Sequence, residues 1–324
     1  MIKVSVPATS ANLGPGFDTL GVALDIRNTI EMDETGILDV VIEVEGTGGG
    51  TLEDPEQNMV YQAALKVFQR LGYRPNGLLI REQVAIPVAR GMGSSAAAIV
   101  GGLVAANALV EQMTGRKGLN REQLLAMAVA IEGHPDNVTP AMVGGFTVSC
   151  MDEERGPLHV RFDPPRSLQA VIVMPEMPIT GKKTEKSRGV LPTEVTLKDA
   201  VYNLNRTALL VAALAQGRTD LLSVATQDRL HQPYRASLVP GLRTVFQAAL
   251  AEGAKGVALS GAGPSVIAFV EHDAEPVARA MEAAFQWAGS DSQTLIAGLA
   301  REGALLLSGH PQADDHLERA PYWG

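Results

Sequence analysis

The sequence predicts an α+β protein of two domains, and three observations lead there. Alternating apolar and polar segments lie beside segments of helical period in the N-terminal half. A proline break at Phe162-Asp163-Pro164-Pro165 is followed by a fresh apolar run. Past Gly253 the period changes from helical to strand-like. The length of 324 residues suits two domains of ordinary size, and 46% hydrophobic with 19% charged residues is the balance of a chain that buries a core. We place the division at residue 165: a first domain over 1–165, a second over 166–310, and a loose polar tail over 311–324 that holds two prolines.

In chain order, Ile42-Glu43-Val44-Glu45 alternates as a half-buried strand does, and residues 58–71 carry helical spacing. Residues 91–110 form the longest uncharged stretch. Its glycines and alanines, two serines and Asn107 favour a buried soluble helix over a membrane span. Asn120-Arg121-Glu122-Gln123 has capping-box chemistry, with Leu124, Met127, Ala128 and Ile131 at helical spacing behind it. A helix therefore runs over 121–132 and stops at Gly133, before Pro135. A strand over 169–174 opens the second domain, followed by helices over 197–216, 220–230 and 242–252. Strands over 256–259 and 266–270 flank a glycine loop, and a helix over 276–287 and a strand over 294–299 close the order.

Charge and cysteine usage exclude several functions. A net charge of −9 gives no general attraction to nucleic acid or to an anionic membrane, so any bound phosphate must be held by a local site. The single cysteine, Cys150, makes no intramolecular disulfide or cysteine-rich zinc site, and its apolar surroundings in the sequence suggest a small core residue. Met1 to Val6 leads straight into structured sequence without an export signal, so the expected location is cytoplasmic.

Three glycine-rich segments carry the functional signal. The first, Pro7-Ala8-Thr9-Ser10-Ala11-Asn12-Leu13-Gly14-Pro15-Gly16-Phe17-Asp18, presents Asn12 and Asp18 beside a backbone that Gly14 and Gly16 let a ligand approach; an ordinary turn between strands would read the same way. The second runs Pro87-Val88-Ala89-Arg90-Gly91-Met92-Gly93-Ser94-Ser95-Ala96 and opens the apolar helix. Its free backbone N–H groups and the helix dipole, roughly half a positive charge, make an anion cradle, although a well-capped core helix fits too. It has neither the Walker order nor the dinucleotide-binding order of glycines. The third, Ser260-Gly261-Ala262-Gly263-Pro264-Ser265, is a hairpin turn if taken alone. Together the three suggest one interdomain polyphosphate pocket.

These segments resemble the three motifs of the GHMP small-molecule kinases, and within that superfamily the homoserine kinase family. The resemblance covers nearly the whole chain and is most specific in Pro7 to Asp18 and in Glu132-Gly133-His134-Pro135-Asp136-Asn137. Met92 stands where leucine is usual and Ser187 where alanine is usual. The resemblance implies an N-terminal domain like the second domain of a small-subunit ribosomal protein, a ferredoxin-like C-terminal domain, and ATP and substrate between them. It also implies L-homoserine as substrate, Mg²⁺ on Ser95 and Glu132, and the nucleotide on residues 87–96, Gly261 and Gly263, with Asn58 and Tyr61 near the adenine. Arg188 and Arg235 match the positions that hold the substrate carboxylate, Asn12 and Asp18 those near its ammonium and hydroxyl, with His134, Asn137 and Thr184 completing the substrate pocket.

The chemistry asks for such a set. Phosphoryl transfer needs the polyphosphate cradled, Mg²⁺ bridging two phosphates and the hydroxyl aligned, and Mg²⁺ takes only one or two protein oxygens. A zwitterion needs a cationic fork for its carboxylate and an acceptor for its ammonium. For the catalytic step, Asn12, Asp136 and Asn137 are the candidates. Either Asp136 is a general base, or Asn137 orients the hydroxyl and the transferred phosphate takes the proton; the second is our expectation. The alternatives are another GHMP kinase, acting on mevalonate or shikimate, or a nonenzymatic nucleotide-binding regulator. A homodimer is the base-rate expectation for assembly.

Overall fold

The computed structural model describes residues 1–47, 51–177 and 183–308, without the side chains of residues 51, 183–185 and 308. In chain order the strands and helices are β1 (Ile2–Ala11), β2 (Leu20–Asp33), β3 (Val40–Gly46), α1 (Met59–Leu71), β4 (Leu78–Val84), α2 (Ser94–Thr114), α3 (Arg121–Glu132), α4 (Pro135–Val143), β5 (Phe146–Asp152), β6 (Gly156–Phe162) and β7 (Gln169–Pro175). There follow α5 (Lys183–Gly189), α6 (Leu197–Ala215), α7 (Leu222–Ala225), α8 (Gln232–Arg235), α9 (Leu242–Ala251), β8 (Gly256–Leu259), β9 (Val266–Val270), α10 (Glu275–Trp287), β10 (Ser292–Gly298) and β11 (Leu305–Ser308).

The first sheet orders its strands β11-β1-β2-β4-β3, with β5 and then β6 added through the start of β2. The β3–β4 pair is parallel, with α1 as its crossover; the other pairs are antiparallel. Against this sheet lies α2, whose Ile99, Val100, Leu103, Val104 and Ala106 are fully buried. It is long and apolar enough to cross a membrane, yet 78% of its most apolar window is buried inside the protein, as expected of a core helix. Gly102 lets α1 come close: a Cβ there would lie 2.3 Å from the Val60 carbonyl oxygen.

The second sheet runs β10-β7-β9-β8, antiparallel throughout. Its first strand in chain order lies between its fourth and its third, and helices precede β8 and follow β9. This is the ferredoxin-like arrangement. β7 reads as one apolar run because both its faces are covered. Val171 and Val173 face a core with Val245, Met281 and Phe285 of α9 and α10, whereas Ala170 and Ile172 join the core continuous with the first sheet.

Helices expected over 58–71, 121–132, 242–252 and 276–287 form within a residue of those bounds. The capping box at Asn120 and Gln123 is present, and Gly133 ends α3 in the left-handed conformation. Three expectations need correction. The helix over 220–230 breaks after Ala225, because the Asp228 carboxylate accepts the N–H groups of Leu230, His231 and Gln232 and so caps the next turn instead. His134, Asp136 and Asn137 are not in a turn but start a helix, with His134 as N-cap of α4 and Pro135 at its first position. Cys150 is exposed and not in the core, because strand alternation turns Ser149 inward and Cys150 outward. The strands β2, β4, β5, β6 and β11 were not anticipated, and the last of them returns from the C-terminal region to pair with β1, Leu306 opposite Val4. The tail expected over 311–324 lies outside the described residues.

Candidate functional site

All three glycine-rich segments reach one cavity of about 350 Å³. Its cradle is the loop before α2. Ala89, Gly91 and Gly93 adopt φ of 55°, 80° and 66°, which turns successive backbone units toward the cavity. Gly93 caps α2 without any side-chain hydrogen bond, and the first bond of the helix is Ala97 N–H to Gly93 O at 2.8 Å. The N–H groups at the start of α2 are thus left for an anion. Side chains at the glycines would close the cradle: a Cβ on Gly91 would lie 2.3 Å from the Ser260 carbonyl, and one on Gly93 1.9 Å from Thr9 Oγ1.

The β8–β9 hairpin loop ties the segments together. Ser260 Oγ donates to Gly91 O at 2.6 Å and accepts from Ser10 Oγ at 2.9 Å, and Gly261 N donates to Ala11 O at 3.2 Å. Ser265 Oγ donates to Arg90 O, and Arg90 Nη1 reaches across to Pro175 O at 2.7 Å. A hairpin turn and a ligand loop are therefore the same object here.

At one end of the cavity, Ser95 Oγ donates to Glu132 Oε2 at 2.7 Å, joining the first turn of α2 to the last residue of α3. A carboxylate at a helix C-terminus opposes the dipole, and here it faces a hydroxyl and the anion cradle. One hydroxyl and one carboxylate oxygen suit a hard cation that keeps most of its coordination for water and phosphate, so the pair fits Mg²⁺. No group of three or more acidic, histidine or cysteine side chains that could hold a metal occurs among the described residues.

At the other end the Asp18 carboxylate accepts two hydrogen bonds from Arg188, Nη1 to Oδ2 at 2.9 Å and Nη2 to Oδ1 at 2.8 Å. Those bonds raise the Arg188 pKa despite its partial burial. Arg235 is 2% exposed and packed into carbonyls: its Nε donates to Ser187 O and its Nη1 to Gly261 O, each at 3.3 Å. Phe17 lies under both guanidinium groups, 5.4 Å from Arg188 and 5.3 Å from Arg235. His231 completes the cluster. Burial, reinforced by the charge of Arg235 and opposed by Asp228, lowers its pKa, so the neutral ring accepts from Arg235 Nη1 at Nδ1 (3.1 Å) and donates from Nε2 to Gly14 O (2.6 Å). Asn12 is engaged at both ends of its amide, donating to Gly261 O at 3.0 Å and accepting from Asp18 N–H at 3.0 Å.

Between the two ends, Asn137 Oδ1 accepts from Thr9 Oγ1 at 2.9 Å. The buried Asp136 carboxylate lies 2.5 Å from His134 Nδ1. Burial works against a charged His134 ring, but the hydrogen bond and charge of Asp136, with Glu132 and Asp18 adding to them, outweigh it and raise the His134 pKa.

Most expected site residues line the cavity: Asn12, Asp18, Asn58, Val88 to Gly91, Gly93 to Ser95, Glu132, His134, Asp136, Asn137, Arg188, Arg235, Gly261 and Gly263. Pro87, Met92, Ala96 and Tyr61 do not. Met92 and Ala96 point into the core and Tyr61 packs half-buried against it. Asn58 lines the cavity, but its amide is spent as N-cap of α1, accepting from Tyr61 N–H at 2.7 Å and donating to Leu52 O at 2.8 Å. The Thr184 side chain lies outside the described residues. Phe17, His231 and Glu82 were missed. For His231 the available signal was its spacing four residues before Arg235; for Glu82 it was a charge at an inward position of an alternating strand.

The GHMP kinases N terminal domain matches residues 58–145 and the GHMP kinases C terminal domain residues 210–286. The homoserine kinase of Symbiobacterium thermophilum is 76% identical over 324 residues, all of both chains. The chain belongs to the homoserine kinase family of the GHMP kinases. Another relative in that family, the homoserine kinase of Moorella thermoacetica, is 44% identical over 95% of this chain and 100% of its own length. The crystal structure of homoserine kinase from Cytophaga hutchinsonii superposes with a TM-score of 0.81 at 31% identity, covering 94% of this chain and 96% of that one. A mevalonate kinase with a TM-score of 0.68 and 17% identity shares the fold alone.

Proposed function

We propose that this chain is an ATP-dependent kinase that phosphorylates the side-chain hydroxyl of L-homoserine, giving O-phospho-L-homoserine and ADP. One observation carries the reading: a single cavity joins an unpartnered helix N-terminus to an acidic and a basic group that together complement a zwitterion. On this reading the triphosphate rests on the N–H groups from Gly91 to Ala96, and Ser95 and Glu132 hold Mg²⁺, which when bound neutralises phosphate charge. Asp18 and Arg188, paired with each other without ligand, exchange partners when substrate enters, Asp18 taking its ammonium and Arg188 its carboxylate. Arg235, already held by Gly261, Ser187 and His231, adds a fixed positive charge at low reorganisation cost.

In the transfer step the bond from the γ-phosphorus to the ADP oxygen breaks as the bond to the substrate oxygen forms. Asn137, fixed by Thr9, orients the hydroxyl, whose proton passes to the transferred phosphoryl group. Asp136 is committed to the raised-pKa ring of His134, which supports a positioning role for it rather than that of a free base. Mevalonate and shikimate carry no ammonium for Asp18, which counts against both. ADP release followed with Mg²⁺-ATP against homoserine, mevalonate, shikimate and serine in parallel tests the reading; homoserine alone should be turned over, and equal rates on all four would refute it.

A further inference from the structure

β4 turns Leu78, Ile80, Glu82 and Val84 inward. Three of these are apolar and the fourth is a carboxylate, 6% exposed, between Ile30 of β2 and Val44 of β3. Burying a carboxylate is costly unless its oxygens are bonded, and an apolar residue would satisfy the strand equally well. Only one oxygen is bonded by the fold: Oε1 accepts from Asn58 Nδ2 at 2.5 Å. Oε2 has no partner among the described residues and is not sealed from the cavity, which Glu82 lines together with Leu52, Met59, Val84 and Ala98. The cavity's other lining residues near β4 are the apolar Leu52, Met59 and Val84 and two asparagines already bonded to the fold, Asn58 to the α1 cap and Asn28 accepting from Ala85 and Ile86 N–H. A flat, largely apolar ring with a hydrogen-bond donor at its edge is the complement of such a surface.

We infer that Glu82 selects the nucleotide's base, its Oε2 accepting a hydrogen bond from the 6-amino group of adenine lodged among Leu52, Met59 and Val84. The inference rests on the ATP-dependent reading above. Asn58, whose amide is consumed by the α1 cap and by Glu82, is then a positioning residue for the carboxylate rather than a base contact. Burial raises the Glu82 pKa, opposed by the Asn58 N–H, and the ionised carboxylate presents Oε2 to the cavity as an acceptor. Hypoxanthine and guanine carry a carbonyl oxygen where adenine carries the amine, which sets acceptor against acceptor.

The test compares ATP, ITP and GTP as phosphoryl donors with saturating homoserine, and measures binding of the same three Mg²⁺-nucleotides by calorimetry. The wild-type protein should prefer ATP over ITP and GTP by roughly 10-fold or more in kcat/KM and in affinity. Glu82→Gln keeps an oxygen for Asn58 and turns the free atom into a donor, so ATP should weaken, ITP should strengthen and the ATP-to-ITP ratio should fall by roughly 10-fold or more. Equal use of ATP and ITP by the wild type overturns the assignment, as does a Glu82→Gln protein in which both nucleotides weaken alike, the result of a purely structural role. Wild type that binds ATP selectively but releases no ADP with homoserine would count against the proposed function and leave Glu82's selection of the base supported by the calorimetry.

Discussion

Replacing Asp18 by Asn separates what the Asp18–Arg188 pair does for the fold from what it does for the substrate. The two side chains are 35% and 39% exposed, so their mutual attraction is screened by water and is worth about 0–1 kcal/mol to stability. For a chain of this size that moves Tm by about 2 °C. Asn also preserves the local turn, because the bond between residue 18 and Asn12 uses the backbone N–H of Asp18. Substrate binding is different: a bound ammonium loses a charge-assisted hydrogen bond worth about 1.5–3 kcal/mol, a rise in the homoserine KM of roughly 10- to 150-fold. The KM for ATP should stay put, because the cradle lies on other residues. Steady-state kinetics with homoserine and with its deamino analogue 4-hydroxybutyrate supply the decisive comparison, since the variant should lose most of the preference for the amine. An unchanged homoserine KM together with a Tm drop of more than about 5 °C would show that the pair is structural and that the partner exchange is wrong.

Ser95→Ala and Glu132→Gln should each raise the Mg²⁺ concentration needed for half-maximal rate, by roughly 10-fold, and the double variant should fall short of the product of the two, as expected for groups 2.7 Å apart; Mg²⁺ titration at fixed ATP checks this. Asp136→Asn should retain kcat within about 10-fold, and a collapse of several orders of magnitude would restore it as general base. The His134 pKa lies above the ordinary histidine value of 6.5, because Asp136, Glu132 and Asp18 outweigh burial. Its charged ring therefore contributes stability that is complete below about pH 6.5 and is lost as pH rises through the folded-state value. Denaturant midpoints for the wild type should accordingly decline over that window, and His134→Gln should flatten the decline.

Elements set by local chemistry were readable from the chain. Asn120 and Gln123 bond each other's backbone and Gly133 needs only its own left-handed conformation, so α3 could be bounded to the residue. The helix expected over 220–230 failed because the competitor is tertiary: Asn203 donates to Asp228 and accepts from Arg229 N–H, holding the chain away from helix. Cys150 was misread from composition where strand parity should have decided. In the site, the glycine segments announced the cradle, and Ser95 and Glu132 do meet. Arg235 shows the limit, since apart from His231 four residues before it, its contacts come from the distant residues 17, 187 and 261, which nothing around an isolated arginine in the sequence reveals. Glu82 was open to parity reasoning, its three apolar strand neighbours marking it as inward-facing.

Ser260 and Ser265, rooted in the second sheet, grip the carbonyls of Gly91 and Arg90 that shape the mouth of α2. The bed proposed for the triphosphate is thus built half from one end of the gene and half from the other. A chimera that exchanges C-terminal halves between relatives must carry the 260–265 bend as a matched part of its receiving half, because a bend of foreign shape would tilt the rim even if every cradle residue were kept.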